Sequence, residues 1–165
     1  MNYTSGAEKA ALILNLLSRS FVEVGQKFGK GREYGAFCMM GHVGLPYMPR
    51  IVSMPFGDMP ETTRSFFIVT EKVARLCKRG DHWSSYQTRD PDNEKYGGAI
   101  RLPVESSPII GYMGWSSYPE LTDEAYMLAI AVRAELITVE RAEFIADISG
   151  NALLHDVLKC VPVVL

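Results

Sequence analysis

The chain has 165 residues, 47% of them hydrophobic and 22% charged, which is enough for one sizeable core but hardly for two. Its formal net charge of −2 gives no broad basic field, which argues against nucleic-acid binding through many phosphate contacts. The apolar stretches at 10–17 and 161–165 are far shorter than the ~20 residues of a membrane span. No secretory signal pattern is recognised, so we expect a cytoplasmic protein with neither a membrane nor a nucleic-acid partner.

Three cysteines, Cys38, Cys77 and Cys160, lie far apart in the sequence. An odd number without paired spacing argues against a disulfide framework. The cysteines and histidines also lack the close, repeated spacing of a zinc site. The sequence therefore predicts reduced, buried thiols and no metal site.

The first predicted element is a helix, because apolar residues from Ala10 to Val24 recur at intervals of three and four. Ser5 and Glu8 have the spacing of a capping box at its start, and 25–31 is rich in glycine and ends it. Two short apolar stretches at 34–42 and 46–54 then predict strands.

A second helix is predicted after Asp58, with Pro60 in its first turn and Gly80 at its end. Its apolar stripe is formed by Phe66, Val69, Val73, Leu76 and Cys77. Phe66 and its neighbour Phe67 are both predicted to be core residues.

The following segment, 80–97, is too long for a routine connection, and loops of this kind are usually functional or mobile. It carries His82, Trp83, Tyr86 and other planar or hydrogen-bonding side chains. We therefore expect it to form one wall of a ligand site.

Two further strands are predicted at 98–104 and 108–115, joined as a hairpin through 105–107. A third helix follows, with Ser117 as its N-cap and Pro119 in its first turn. The tail from Thr138 has helical periodicity that is interrupted near 149–151.

The predicted order is helix-β-β-helix-β-β-helix with a C-terminal helical tail. Paired strands between helices favour an α+β fold with an antiparallel sheet of about four to five strands, covered on one face. We expect residues 1–137 to form a single domain and 138–165 to be a helical extension that packs on this domain or on a partner subunit.

This order of motifs resembles the GlcG/HbpS-like family, small α+β domains that also occur fused to corrinoid adenosyltransferases. The similarity spans about 5–135 and rests on TEKVARL, YGGAI and IIGYMGWSS followed by TDE. The residues that match the family pattern are Lys72, Gly97, Gly98, Gly111, Gly114, Ser116, Asp123 and Glu124. The chain departs from that pattern at Val73 and Ser117, where the family has alanine and glycine.

The resemblance implies binding of haem or corrinoid-related tetrapyrroles, an accessory or sensory role, and assembly into dimers or larger rings. An axial metal ligand would have to come from His42, His82 or His155. The resemblance supplies no ligand residue at these positions.

Three hypotheses about function follow. The leading one is a non-catalytic domain that binds a tetrapyrrole or small organic ligand between the sheet and the 80–97 loop. Its predicted ligand-binding residues are Lys72, His82, Trp83, Gly97, Gly98, Gly114 and Ser116. Gly114 can alternatively serve packing, and Lys72 can extend into water.

The second hypothesis is a homo-oligomeric assembly protein without a ligand, because Leu153, Val157 and the final apolar residues exceed what a small domain needs to bury. The third is an enzyme that uses His82 with Asp81 or Arg89. No nucleophile elbow, zinc-protease helix or phosphate-binding loop is present in the sequence, so no catalytic residue is predicted.

Overall fold

A computed structural model describes residues 6–41, 50–103 and 110–163. The predicted order of helices and strands is confirmed, with α+β architecture. The elements are α1 (Gly6–Phe28), β1 (Gly35–Gly41), β2 (Arg50–Phe56), α2 (Ser65–Cys77), β3 (Ala99–Arg101), β4 (Ile110–Ser116), α3 (Glu120–Arg133), α4 (Val139–Ser149) and α5 (Leu154–Cys160). Short 3₁₀ turns occupy Ser85–Thr88 and Pro91–Asn93.

The four strands form one antiparallel sheet in the order β2-β1-β4-β3. Because successive side chains in a strand alternate between faces, Phe37 and Trp115 contribute to one hydrophobic cluster, while Cys38 contributes to the other. The register pairs Phe37 with Trp115 and Cys38 with Gly114. Large side chains therefore lie on one face of the sheet and small residues on the other.

Helices cover both faces of this sheet, so the expectation that only one face is covered is wrong. α2 packs on the face with small residues, and α3 packs on the opposite face with α1, α4 and α5 around it. Ala36, Cys38, Ala99 and Gly114 leave room for α2 to approach the strands closely. Covering both faces places α2 and α3 on opposite sides of β4.

Residues at the centre of α3 are buried all round, and every residue from Ala125 to Ala131 is 0% exposed. A helix that is apolar on all sides belongs between other layers of structure. The charged residues of its first turns, Asp123 and Glu124, are buried with it. Their burial makes the N-terminal end of α3 a place where polar groups require specific partners.

The C-terminal tail packs on its own domain. α4 starts at the predicted position, where Thr138 Oγ1 accepts a hydrogen bond from the Arg141 amide at 3.2 Å, and it ends at Gly150. α5 lies against α3 with Leu154 and Val157 buried. The apolar residues that suggested a partner subunit are thus largely used within one chain.

Two details of α2 differ from the prediction. The helix starts at Ser65 rather than after Asp58, and Phe66 and Phe67 are 40% and 58% exposed rather than buried. The physical reason is which face of the helix is turned towards the sheet. The buried face is formed by Ser65, Val69, Lys72, Val73 and Leu76. Phe66 and Phe67 lie off that face, and the Arg64 guanidinium lies 4.9 Å from the centre of the Phe67 ring.

Cys38 and Cys160 are buried as expected, whereas Cys77 is exposed at the end of α2. Of the helices that the structure describes, none has the length and apolarity to cross a membrane. The predicted cap at Ser5, His42, the prolines of the second strand segment and the 105–107 connection lie outside the described residues.

Candidate functional site

A pocket of about 390 Å³ lies where the N-terminal ends of α2 and α3 meet the segment before β1. Its walls come from four separate parts of the chain. The lining residues are Arg32, Tyr34, Thr63, Arg64, Ser65, Ile68, Lys72, Tyr96, Ser116, Ser117, Tyr118, Pro119, Glu120 and Asp123. The lining combines hydroxyl groups, aromatic rings and charges, a composition suited to a small polar ligand.

An ion pair between Lys72 and Asp123 lies at the buried side of this pocket. Lys72 Nζ is 2.8 Å from Asp123 Oδ2 and also donates to the Trp115 carbonyl oxygen at 2.9 Å. The two side chains are only 1% and 2% exposed. Lys72 reaches this position because it lies on the buried face of α2, directly across β4 from the start of α3.

Asp123 is fixed on its other oxygen by the backbone. Its Oδ1 accepts a hydrogen bond from the Tyr118 amide at 3.0 Å. The carboxylate therefore holds the backbone segment that directly precedes α3. Burial raises the pKa of Asp123 to about 7, and Lys72 and the amides of Tyr118 and Ser117 oppose this rise. Asp123 therefore titrates near neutral pH inside a pocket.

Gly98 gives the ion pair its space. Its φ is +111°, a conformation that favours glycine. A Cβ at this position would lie 2.5 Å from Asp123 Cβ and 2.9 Å from Lys72 Nζ. The double-glycine motif thus allows the backbone to pass directly beside the buried charges.

Gly97, the other glycine of this motif, meets different neighbours. A Cβ there would lie 2.7 Å from the Tyr86 ring, and its amide donates to Glu120 Oε1 at 3.3 Å. Gly97 therefore joins the 80–97 loop to the first turn of α3, at the edge of the pocket.

At both helix starts the N-cap residue makes no capping hydrogen bond through its side chain, although at α2 the Ser65 amide donates to Thr63 Oγ1 at 3.3 Å. The first amides of a helix are unsatisfied and carry partial positive charge, which favours anions. Ser117 is not the predicted N-cap, because its hydroxyl donates to the Tyr34 carbonyl and Pro119 precedes the first residue of α3. The chain between β4 and α3 is instead held by Asp123.

Charged residues at the rim add to this positive potential. The Arg32 guanidinium donates to the Ser117 carbonyl, and Arg64 pairs with Glu94. Glu120 pairs with Arg89 at 2.9 Å. Three cationic side chains and two acidic ones line the pocket, so the lining has a small excess of positive charge.

The 80–97 loop is anchored against the domain and contributes only Tyr96 to the pocket. Arg75 holds it from α2 by donating to the Ser85 carbonyl at 2.8 Å and to the Tyr96 carbonyl at 2.6 Å. Glu71 orients this guanidinium group, since its Oε1 lies 2.8 Å from Arg75 Nε. The pocket therefore lies beside the loop, not between the loop and the sheet.

The structure places His82 and Trp83 outside this pocket. His82 Nδ1 is buried without a hydrogen-bond partner among the described residues, and Nε2 is 3.9 Å from the Asp81 carboxylate. The guanidinium groups of Arg101 and Arg141 both contact the Trp83 ring. Their Cζ atoms lie 5.2 Å and 4.9 Å from the centre of the ring. His82 and Trp83 are thus separated from Lys72.

The other predicted residues divide between packing and the pocket. A Cβ on Gly114 would lie 3.1 Å from Val73 Cγ2 and 3.4 Å from Val69 Cγ2, so this glycine serves the contact of α2 with the sheet. Ser116 lines the pocket. Lys72, Ser116 and Gly98 therefore converge, whereas Gly114 lies beneath α2.

Sequence reasoning missed Arg32, Tyr34, Arg64 and Ser65 as lining residues. They come from the ends of elements that are far apart in the chain, and single residues near helix and strand ends carry no periodic signal. Gly31 directly precedes Arg32 and has a φ of +74°, a conformation that favours glycine. A glycine at this position was therefore a local indication of a tight turn before the wall that Arg32 and Tyr34 form.

A second buried carboxylate, Glu124, follows Asp123 but has no cationic partner among the described residues. It accepts hydrogen bonds from the Ser84 hydroxyl, from Ser149 Oγ at 2.8 Å and from Asn151 Nδ2 at 3.0 Å. Burial raises the pKa of Glu124, and these hydrogen bonds oppose the rise. Glu124 thus joins the 80–97 loop to the connection between α4 and α5.

We expect Glu124→Gln to gain stability relative to the wild type as the pH rises. A carboxyl group whose pKa is raised in the folded state binds its proton more tightly there, so ionisation above its ordinary value of 4.5 destabilises the wild type. Glutamine has no such ionisation. Urea denaturation of both proteins between pH 4 and pH 8 measures the difference, and a difference independent of pH would contradict the assignment.

Among residues 6–41, 50–103 and 110–163, no group of three His, Cys, Asp or Glu side chains is placed to hold a metal ion. Comparison of the chain with protein-family models, with curated proteins and with solved structures finds no match. The GlcG/HbpS-like resemblance accordingly stays a prediction, and the geometry of the pocket carries the functional argument.

Proposed function

We propose that the protein binds a small organic anion, most simply a carboxylate, in the pocket between the starts of α2 and α3. The observation that carries this proposal is a lysine that is 1% exposed on the wall of a polar pocket. Lys72 donates to Trp115 and Asp123, and an ammonium group has three N–H donors. One donor is therefore left for a ligand.

Electrostatics supports an anion rather than a neutral or cationic ligand. Arg32 and Arg64 line the entrance, and the starts of the two helices add partial positive charge. Arginine also pairs with carboxylates through two parallel hydrogen bonds. A carboxylate at the rim would meet these donors together with two acidic side chains, Glu120 and the Glu94 that pairs with Arg64.

The remaining lining residues indicate the body of the ligand. The rings of Tyr34 and Tyr96 and the side chain of Ile68 offer flat and apolar surface. A volume of about 390 Å³ lies at the lower end of the range for small-molecule sites. These features suit a compact molecule with a short apolar or planar part.

A tetrapyrrole is the less favoured ligand of this pocket. Histidine, cysteine, methionine and tyrosine are the usual protein ligands of haem iron, and of these types only tyrosine lines the pocket, with the Tyr118 hydroxyl already donating to the Phe21 carbonyl. An accessory or sensory role, as the GlcG/HbpS-like resemblance implies, is compatible with a small organic anion as the signal. We propose this ligand class in place of haem or corrinoid.

We expect a panel of small carboxylates to raise the melting temperature, since a ligand that binds only the folded state stabilises it. The double substitution Arg32→Gln with Arg64→Gln should weaken binding about tenfold or more, because hydrogen bonds to charged groups contribute ~1.5–3 kcal/mol each. Arg101→Gln is the control, since it removes one arginine charge beside Trp83, away from the pocket.

Thermal shift at graded ligand concentrations gives apparent affinities for all three proteins. The proposal fails if no carboxylate stabilises the wild type. It also fails if Arg101→Gln weakens binding as much as the double substitution does.

A further inference from the structure

We propose that Lys72 and Asp123 form a proton-transfer site that reversibly removes a proton from the carbon next to the carbonyl of a small 2-oxo acid. This inference rests on the proposed function, because the substrate is an organic anion held in the same pocket. It goes further by assigning a reaction and a catalytic role to the buried ion pair.

The geometry brings a base and a hydrogen-bond donor to one place. Asp123 and Lys72 both line the pocket and lie 2.8 Å apart. Abstraction of a proton beside a carbonyl needs a base at the carbon and a donor at the oxygen that becomes negative. The two reacting atoms of the substrate, the carbonyl oxygen and C3, are both bonded to C2, so one bound molecule can contact both groups.

Neither group is fully used by the protein. Asp123 accepts hydrogen bonds from Lys72 and from the amides of Tyr118 and Ser117, whereas a carboxylate has about four acceptor sites. Lys72 donates to Asp123 and to the Trp115 carbonyl, which leaves one of its three donors. Each group is held in place and retains capacity for a substrate atom.

The supporting contacts fix the pair before any ligand binds. Lys72 comes from α2, Asp123 from the first turn of α3, and Tyr118 from the connection between β4 and α3. Gly98 packs so closely against this ion pair that a methyl group on it would collide with both Asp123 and Lys72. Such preorganisation is what electrostatic catalysis requires, because no reorientation is needed during the reaction.

The chemical step balances without a co-reactant. The Asp123 carboxylate takes the proton from C3 of the oxo acid, and the electron pair of that C–H bond forms the C2–C3 double bond. The carbonyl electron pair moves to oxygen, where the enolate accepts a hydrogen bond from the Lys72 ammonium group. Protonated Asp123 then returns a proton to C3, after exchange with solvent.

A 2-oxo acid fits these groups better than other small anions. Its carboxylate suits the rim arginines, its carbonyl oxygen suits the free Lys72 donor, and its C3–H is acidified by that carbonyl. With a pKa of about 7, Asp123 is suited to accept and return a proton near neutral pH. Asp123 is surrounded by ionisable groups from the adjoining elements: Lys72 on α2, Glu120 and Tyr126 on α3, Tyr118 before α3, and Arg32, Tyr34, Arg64 and Tyr96 around the pocket.

The test follows the C3 proton signal of 2-oxobutyrate by NMR in D₂O. The wild type should replace C3 protons by deuterium faster than buffer alone. Asp123→Asn and Lys72→Met should each lower the catalysed rate at least about 100-fold, since general acid–base catalysis contributes 10²–10⁴-fold. Arg101→Gln should retain the wild-type rate.

A measurement on the wild type keeps the test valid if these variants do not fold. The catalysed exchange rate should rise with pH and level off above about pH 7, as Asp123 loses its proton. A rate that is unchanged or falls between pH 5 and pH 8 would overturn the assignment of Asp123 as the base.

The binding and exchange results separate the two proposals. Saturable binding of 2-oxobutyrate with exchange at the buffer rate would overturn the proton-transfer inference and leave the binding function standing. Exchange that survives in folded Asp123→Asn would also overturn it. Failure of every carboxylate to bind would overturn both.

Discussion

Lys72→Met is expected to lower the free energy of unfolding by about 3–5 kcal/mol, the usual cost of removing one partner from a buried ion pair. The substitution keeps the length of the side chain but leaves Asp123 buried without its cation. It also removes the donor to the Trp115 carbonyl. Urea denaturation at pH 8 measures the loss.

The double variant Lys72→Met/Asp123→Asn should recover most of this loss. Asparagine keeps an oxygen for the Tyr118 amide and carries no charge to bury. Replacing both partners of a buried pair is often close to neutral, whereas breaking the pair is not. A double variant as unstable as Lys72→Met alone would show that the cost lies in packing rather than in the unpaired carboxylate.

The cost of Lys72→Met should also depend on pH. Without the lysine, burial acts on Asp123 with less opposition, so the pKa of Asp123 rises further above its ordinary value of 3.8. Below about pH 7 this carboxyl group is protonated in the folded wild type as well as in the folded variant, so both proteins lose stability alike as the pH rises from 5. The gap from the wild type should widen once the pH passes about 7, and a gap that is the same at pH 5 and pH 8 would contradict the account.

Gly98→Ala is expected to destabilise the fold by about 2–6 kcal/mol, the sum of two contributions. Backbone strain at an unfavourable φ costs ~1–3 kcal/mol, and forcing a side chain into a filled site costs ~1–3 kcal/mol more. The new methyl group would press on Asp123 and Lys72. We therefore expect ligand binding to be lost together with stability.

Gly31→Ala provides the matched control for this substitution. Gly31 also has positive φ, at +74°, but a Cβ there meets no atom within 4 Å. It should show the backbone cost alone, about 1–2 kcal/mol. Equal losses at the two glycines would show that the space beside the ion pair is not critical. Thermal or urea denaturation of both variants decides this.

The sequence predicted the order of elements because each has a local signal. Helical periodicity from Ala10 to Val24 and the break at Gly150 both correspond to structure. Coverage of both sheet faces was missed, because the short strands do not reveal how closely a helix can approach. That depends on Gly114 and on small residues in neighbouring strands, which only the strand register brings together.

The candidate site was predictable in part, because some of its residues also carry a local signal in the sequence. Lys72, Ser116 and Asp123 belong to short motifs with recognisable composition, and the fold brings them to one pocket, with Gly98 packed against the Lys72–Asp123 pair. His82 was favoured as an unusual polar residue in a long loop, but Arg75 holds that loop against α2 and β3. Such a clamp depends on tertiary contacts and has no signature in the sequence.

Self-association was expected from the apolar tail and from the family resemblance. The tail residues Leu154 and Val157 are buried within the domain, whereas Val163 is 61% exposed, so part of the apolar tail is used within the chain. Assembly into dimers or rings stays a prediction of the resemblance.

The most direct test of the binding site is an NMR titration of ¹⁵N-labelled protein with 2-oxobutyrate. The account predicts saturable shifts of backbone amides at 63–65 and 116–120, where α2 and α3 start beside the pocket. Amides near His82 and Trp83 should move little. Shifts centred on those two residues, or no saturable shift at all, would contradict the account.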